Sequence, residues 1–219
     1  VNTGALPEFV FVTEDALRDN AALHALITHL ETAGVACLRV TPELMRDMAD
    51  TVTPQGVLAV LPIPELPAAG GPRFVLIPDQ VRDPGNLGTM LRTAWAAGVT
   101  QVLLPPGTVD PTNPKVVRAG MGAHFHLSIR TVGWDVIASA VEGADVRLAE
   151  AGRGLAYDAV DWRGDVALII GGEAAGAGGE AREAAACVQI PMRRGVESLN
   201  AAVAAGILLF EAARQRGEG

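Results

Sequence analysis

The sequence has few of the features that mark a secreted, metal-binding or membrane-spanning protein. It contains two cysteines, Cys37 and Cys187, each in a strand-like apolar segment, which is typical of buried reduced thiols in a cytosolic protein. The histidines are not spaced as metal ligands are, so we expect no metal site. No apolar run reaches the roughly 18 residues that a membrane-spanning helix needs, and we expect no membrane partner.

The chain also lacks an initiator methionine and any segment with the charged, apolar and small-residue order of a signal peptide. Val1 precedes a strand-like stretch almost at once. We therefore expect that the start of the natural chain is missing and that the protein is cytoplasmic.

Lysine is nearly absent, since Lys115 is the only one and every other strongly basic side chain is an arginine. The planar forks of arginine suit phosphate. The formal net charge of −8 argues against indiscriminate binding to nucleic acid. Residues 79–130 depart from this balance, with five basic residues against three acids, so the middle of the chain is locally basic.

The first part of the chain alternates between strand and helix patterns. Strand-like runs lie at 9–12, 34–40 and 55–63, and helical apolar spacing covers 15–33. A second helix is predicted to start with Thr41 as its cap and Pro42 at its first position. We predict a small α/β domain over 1–63, followed by a proline- and glycine-rich linker over 64–72.

Residues 73–219 repeat this alternation and are predicted to form a second domain. Strand-like runs occupy 73–78, 101–105, 126–130, 145–151, 166–171 and 187–191, and helices are predicted near 86–97, 114–122, 134–142 and 198–216. Strands that alternate with helices predict an α/β domain with a mostly parallel sheet flanked by helices.

The most apolar strand, VALIIG, runs into the glycine-rich loop GGEAAGAGG at 171–179. This loop weakly matches a dinucleotide fingerprint, which would fit a dehydrogenase, and a P-loop, but it lacks the ribose-binding acid and the Lys-Ser/Thr pair of those sites. A plain flexible turn is the other interpretation. Glu173 follows the strand at its carboxyl end, where open α/β sheets place ligands, although it could be a solvated acid that caps the next helix.

Three separated stretches, in order, carry a family resemblance. They are DQVRDPGNLGTMLRTAWAAGV (79–99), LIIGGEAAG (168–176) and IPMRRGVESLNAAVAAGILLFEAARQR (190–216), with a weaker fourth stretch, VDPTNPKVVRAGMGAHF (109–125). Together they resemble the SpoU (TrmH-like) branch of the SPOUT RNA methyltransferases. Residues 1–62 resemble most of the L30e/L7Ae-like RNA-binding domain, without its opening helix and strand.

The resemblance implies an α/β fold in which the C-terminal part of the sheet forms a trefoil knot, an exception to the rule against knots. It implies an enzyme that binds S-adenosylmethionine (AdoMet) and methylates ribose 2′-hydroxyls in structured RNA, not DNA. It also implies a homodimer in which each active site draws on both subunits. The N-terminal domain favours 23S rRNA as the substrate. A tRNA 2′-O-methyltransferase and an inactive RNA-binding assembly factor stay open as alternatives.

The resemblance also assigns residues position by position. The candidate catalytic residues are Asn86, Arg92, Glu173, Ser198 and Asn200. The candidate cofactor-binding residues are Gly171, Gly172, Ile190, Met192 and Leu199. The candidate RNA-binding residues are Arg82, Lys115 and Arg118, in the locally basic part of the chain.

A ribose 2′-hydroxyl is a poor nucleophile, so an enzyme must position it, accept its proton and stabilise the developing alkoxide. Arg92 suits bidentate contact with an adjacent phosphate. The very high pKa of arginine side chains makes deprotonation by Arg92 costly, so we favour positioning and charge stabilisation. A plain surface arginine is the alternative. Its small helical neighbours, Gly88, Thr89 and Ala96, predict clearance for an RNA backbone or a second subunit.

The other candidate residues have expected places in the fold. Asn86 is expected at or just before the start of its helix, as a cap. Glu173 is expected to orient Arg92 or an asparagine. Ser198 and Asn200 are expected to open the last helix, where ordinary capping is the alternative role. Small residues in that helix predict a dimer interface, or else tight packing within one subunit.

Three features depart from the family pattern. Gly172 stands where Asn, Ser or Ala is common, and we expect it to loosen the loop slightly. Gly120 stands where a serine is usual, and RRG at 193–195 is more basic than the common version. None of these removes a candidate catalytic residue.

Overall fold

The computed structural model describes residues 5–49, 51–67, 73–173 and 176–217. The chain divides into two compact units, Val1–Pro64 and Glu65–Gly219. Their border lies at the start of the predicted linker, of which residues 68–72 lie outside the described residues. The assignment of the first unit as an RNA-binding domain stays a prediction.

The N-terminal unit is a small mixed sheet with helices. In chain order its elements are β1 (Phe9–Val12), α1 (Glu14–Asp19), α2 (Ala21–Thr32), β2 (Ala36–Arg39), α3 (Pro42–Met48) and β3 (Val57–Val60). β1 is the central strand, parallel to β2 and antiparallel to β3. Val10 and Val12 of β1 pack against Leu17, Ile27 and Leu30 of the helices, which forms the core of this unit.

The helix predicted over 15–33 is wrong in one respect, because two helices meet at Asn20. This residue has an extended backbone, with φ −133° and ψ 96°, and its side chain accepts a hydrogen bond from the Leu23 amide at 3.0 Å. Asn20 therefore ends α1 and caps α2. By contrast, α3 begins as predicted, with the Thr41 side chain accepting from the Leu44 amide and Pro42 in the first turn.

The second unit contains a seven-stranded parallel sheet. Its elements are β4 (Phe74–Asp79), α4 (Pro84–Ala96), β5 (Gln101–Leu104), α5 (Pro114–Gly120), β6 (Ser128–Thr131), α6 (Trp134–Ala140), β7 (Asp145–Ala149), β8 (Leu155–Ala156), β9 (Val166–Gly171), α7 (Gly179–Ala184), β10 (Ala186–Gln189) and α8 (Ala201–Arg216). The strand order is β6-β5-β4-β9-β7-β10-β8, and every paired neighbour runs parallel. The predicted fold class is confirmed.

Helices cover both faces of this sheet. Phe74 and Leu76 of β4 face a core that α4, α5 and α8 complete. Val75 and Ile77 face a second core with residues of α6 and α7. Successive side chains of a strand point to opposite faces, so a strand buried on both faces becomes a continuous apolar run.

The strand order places the carboxyl ends of β4, β9, β7 and β10 next to one another. Because these strands are parallel, the loops that follow them meet at one edge of the sheet, where open α/β sheets bind ligands. The loops after β9 and β10 contain most of the candidate residues. The trefoil knot that the resemblance implies for this region stays a prediction.

The two cysteines are half-buried, which corrects the expectation that both are buried. Cys37 lies on β2, an edge strand that is covered less than a central one. The Cys187 thiol donates to Glu150 Oε2 at 3.3 Å. Partial burial raises the pKa of both thiols, so both favour the protonated form. Among the described residues, the structure has no helix with the length and apolar character of a membrane span.

Candidate active site

Three candidate catalytic residues from distant parts of the second unit are hydrogen-bonded to one another. The Asn86 side-chain amide donates to Glu173 Oε1, and the Asn200 side-chain amide donates to Asn86 Oδ1 at 3.1 Å. This network joins the start of α4, the loop after β9 and the start of α8. Glu173 therefore contacts an asparagine, and no hydrogen bond joins it to Arg92 within the described residues.

Asn86 lies inside α4 and not before it, which corrects its expected role as the cap. The cap is Asp83, whose carboxylate accepts from the Asn86 amide at 2.7 Å, and Pro84 is the first helical residue. Because Asp83 satisfies this first-turn amide, the Asn86 side chain is available to bond Glu173 and Asn200.

The last helix begins at Ala201, so Ser198 and Asn200 precede it. Asn200 Oδ1 accepts from the amides of Ala202 and Val203 at 2.9 and 3.2 Å, and this makes Asn200 the cap. Its side-chain nitrogen simultaneously donates to Asn86. Capping and site assembly are therefore two roles of the same side chain.

A cleft of about 430 Å³ lies at the carboxyl edge of the sheet, within the range of small-molecule sites. All five candidate cofactor-binding residues line it, together with three candidate catalytic residues: Gly171, Gly172, Ile190, Met192, Leu199, Glu173, Ser198 and Asn200. Apolar side chains of Ile170, Val188 and Leu208 complete part of the wall. The structure thus brings together residues from the loops after β9 and β10.

The glycine pair in this cleft allows backbone segments to approach closely. A Cβ on Gly171 would lie 2.5 Å from the Ala177 amide nitrogen, and one on Gly172 would lie 2.1 Å from the Gln80 carbonyl oxygen. Gly172 was expected to loosen the loop, but the structure gives it a different role. Its missing side chain lets the loop after β9 pack against the loop after β4.

Sequence reasoning missed an ion pair in the wall of the cleft. Glu150, directly after β7, accepts from Arg182 of α7 and from Arg153 at 3.1 Å. The hydrogen bond from Arg182 is the main reason that the pKa of Glu150 is lowered. Arg182 also donates to the Ala177 carbonyl at 3.2 Å and so holds the loop after β9. The sequence carries the same signal for Glu150 as for Glu173, because both are acids at the carboxyl end of a strand.

Asp79, the last residue of β4, is a second acid that sequence reasoning missed. It is 1% exposed, and its carboxylate accepts from the Gly178 amide at 2.6 Å. Burial raises the pKa of Asp79, while the Gly178 hydrogen bond opposes that rise. Asp79 thus fixes the far end of the glycine-rich loop to β4, an inner strand of the sheet.

Arg92 is exposed on α4 and forms no hydrogen bond or ion pair within the described residues. The idea that Gly88 provides clearance beside Arg92 is wrong. Gly88 is buried, and a Cβ there would lie 2.5 Å from the Ala119 Cβ, so this glycine serves the packing of α4 on α5. Thr89 and Ala96 are exposed.

The three candidate RNA-binding residues are all exposed. Arg82 lies in the loop between β4 and α4, and Lys115 and Arg118 lie on α5. Gly120 ends α5 and is buried against the ring of His124, at 3.1 Å from its would-be Cβ. Candidate metal ligands do not gather: no group of three or more histidine, cysteine or acidic side chains could hold a metal in the described part of the chain.

A parallel α/β sheet with a ligand cleft at its carboxyl edge and a polar network beside it defines the class as an α/β enzyme. The SpoU rRNA methylase family model matches residues 73–210, and the chain belongs to this family. The predicted family is therefore confirmed.

Individual relatives and a solved structure support this family assignment. The chain is 35% identical over 209 residues to the 23S rRNA (guanosine(2553)-2′-O)-methyltransferase RlmP of Bacillus subtilis, covering 91% of this chain and 84% of RlmP. It is 34% identical to mitochondrial rRNA methyltransferase 3 of Mus musculus, covering 83% of this chain and 58% of that protein. The structure of the SpoU methyltransferase AviRb from Streptomyces viridochromogenes, in complex with the cofactor AdoMet, matches with a TM-score of 0.84 and 26% identity, over 100% of this chain and 86% of that one.

Proposed function

We propose that this protein transfers a methyl group from AdoMet to a ribose 2′-hydroxyl in 23S rRNA. The observation that carries the proposal is the hydrogen-bonded network of Asn86, Glu173 and Asn200 at the edge of the cleft. The similarity to RlmP and to AviRb supports the substrate and the cofactor. A tRNA substrate, or RNA binding without catalysis, is the alternative.

The cleft fits AdoMet in its chemistry. Its apolar wall suits an adenine ring, and Gly171 and Gly172 contribute backbone atoms to its lining. Ile190, Met192 and Leu199 would hold the cofactor from the loop after β10. When bound, AdoMet supplies a methyl group on a positively charged sulfur.

The residues of this chain would position the RNA and stabilise charge. With both substrates bound, the 2′-oxygen would accept the methyl group in exchange for its proton, which would pass to solvent water. Arg92 is free to clamp the neighbouring phosphate with its planar fork and to stabilise the developing alkoxide. Asn86 and Glu173 hold the start of α4 against the cleft, which fixes where Arg92 can act.

We also propose a role for the N-terminal unit and a cellular location for the protein. The N-terminal unit would bind the RNA substrate. The free, half-buried thiols of Cys37 and Cys187 fit a reducing compartment, and we place the protein in the cytoplasm, although mitochondrial relatives exist.

We further propose a homodimer that uses the outer face of α8. Most small residues of this helix are covered within the chain: Ala201, Ala202 and Ala205 are buried, with Leu208 and Leu209, and Ala204 and Gly206 are half-buried. The face that stays apolar and exposed contains Val203 and Phe210, each 52% exposed and two helical turns apart. Large exposed apolar side chains on one face are typical of an interface.

This dimer makes a prediction for solution behaviour. Sedimentation velocity at micromolar concentration is expected to show a dimer, and Phe210→Glu is expected to shift it to the monomer, because a charge would enter an apolar interface. Val136→Glu is the matched control, since Val136 is also exposed but lies on α6. A stable wild-type monomer would contradict the dimer.

The function is tested by methyl transfer to ribosomal RNA. Wild-type protein with labelled AdoMet is expected to label unmodified 23S rRNA at one ribose and to leave tRNA unlabelled. Mapping of the labelled nucleotide identifies the site. Labelling of tRNA would favour the tRNA alternative, and AdoMet binding without transfer to any RNA would favour the inactive assembly factor.

A further inference from the structure

Most of the arginines fall into one of two groups by their partners. Nine have a carboxylate oxygen within 4.0 Å: Arg18, Arg39, Arg46, Arg73, Arg147, Arg153, Arg163, Arg182 and Arg214. Within the described residues, five form neither a side-chain hydrogen bond nor an ion pair: Arg82, Arg92, Arg130, Arg193 and Arg194. The positive charge of an arginine without a carboxylate partner is not compensated within the protein, so it attracts a phosphate more strongly.

Two of the five, Arg193 and Arg194, are neighbours in a turn at the cleft. The Val196 amide donates to the Arg193 carbonyl at 3.2 Å and closes the turn, and both arginine residues are exposed. Met192 before the turn and Ser198 after it both line the cleft. The turn that carries both arginines therefore lies at the rim of the site.

The base of this turn is fixed to the helix that carries Arg92. Asn200 closes the segment and bonds Asn86, which lies six residues before Arg92 on α4. Glu197 is the acid within the segment, and it forms no ion pair with either arginine in the described part of the chain. The rim thus carries positive charge close to the cofactor cleft in a protein whose formal net charge is −8.

We propose that Arg193 and Arg194 contact phosphates of the substrate RNA next to the methylated ribose. This proposal rests on the proposed function. Phosphate contacts fix the register of a nucleic acid on a protein and carry no sequence information themselves. Arg193 and Arg194 are therefore positioning residues, which act together with Arg92 to hold the target nucleotide over the cleft.

The test compares R193A/R194A with a control, R163A, whose arginine is also exposed but is ion-paired with Asp161. Methyl transfer to 23S rRNA, RNA binding at several salt concentrations and AdoMet affinity are measured on the full chain. We expect the KM for RNA to rise about tenfold in the first variant, with AdoMet affinity unchanged. The slope of log affinity against log salt is expected to fall by about 0.7 to 0.9 for each arginine removed. The control should match wild type, and R193K/R194K should keep most of the slope.

Two results would overturn the inference. One is an unchanged salt slope and KM in R193A/R194A. The other is weaker AdoMet binding with unchanged RNA binding, which would assign the turn to the carboxylate of the cofactor. Failure of the proposed function is recognised separately: wild type would bind AdoMet and RNA without transferring a methyl group, and the salt slope would still test the turn.

Discussion

Replacing Arg92 by alanine is expected to lower the rate of methyl transfer by about 10²- to 10³-fold, the usual cost of removing a group that stabilises developing charge. AdoMet affinity should stay unchanged, because Arg92 does not line the cleft. The folded state should also be unaffected, since the exposed Arg92 side chain has no partner within the described residues. Single-turnover transfer to 23S rRNA, with calorimetry for AdoMet, measures both effects.

Two further variants sharpen this experiment. Arg163→Ala removes an arginine that is also exposed but is paired with Asp161, and it should behave as wild type. Arg92→Lys keeps the charge but loses the planar fork, so we expect an intermediate rate. Full activity in Arg92→Ala would show that the account of this arginine is wrong. A rate in Arg92→Lys that rises with pH, while the wild-type rate does not, would favour a role in deprotonation.

Gly171→Ala is expected to weaken AdoMet binding by about tenfold or more and to lower the thermal unfolding temperature. The added Cβ would lie 2.5 Å from the Ala177 nitrogen and 2.7 Å from the Gly176 carbonyl carbon, and both are backbone atoms. The loop that lines the cleft must therefore move, and overpacking of this kind costs about 1 to 3 kcal/mol. Calorimetry with AdoMet and thermal unfolding without it separate the loss of the site from the loss of stability.

Gly179→Ala is the matched control for this prediction. It adds the same methyl group eight residues further on, at the first residue of α7, where nothing lies within 4 Å of the new Cβ. It should bind AdoMet as wild type does. Equal affinity in both variants would mean that the loop accommodates the methyl group without cost, and that its close packing does not shape the cofactor site.

Capping residues in the sequence predict the start of a helix well where a single residue sets the boundary. Thr41 and Pro42 mark the start of α3 in the sequence, and the structure agrees. Asp83 and Pro84 carry the same signal for α4, but the sequence also offers Asn86 because asparagine is a good capping residue. Asn20 was missed because the apolar spacing of α1 runs on into α2, so only the capping side chain reveals the break.

The site was predictable in its residues but not in its contacts. The resemblance identifies five candidate cofactor-binding residues, and in the structure all five line one cleft. Which partner Glu173 takes depends on the approach of two loops and two helices, and no spacing rule in the sequence specifies that. The Glu150–Arg182 pair has the same character, because it joins the ends of β7 and α7 across 32 positions.

The bonds of Asn86 have a consequence for how the protein matures. Its partners lie 87 and 114 positions away, so the network is complete only after Asn200, the cap of α8, has been synthesised and docked. Ordering such distant segments closes long loops before any contact compensates, which makes this region a late step in folding. A nascent chain that still lacks its last twenty residues would have its central strands but neither the cap of α8 nor the assembled network. The capacity to bind cofactor should therefore arise at the end of folding. The time course of AdoMet binding during refolding would then report the rate of the last folding step.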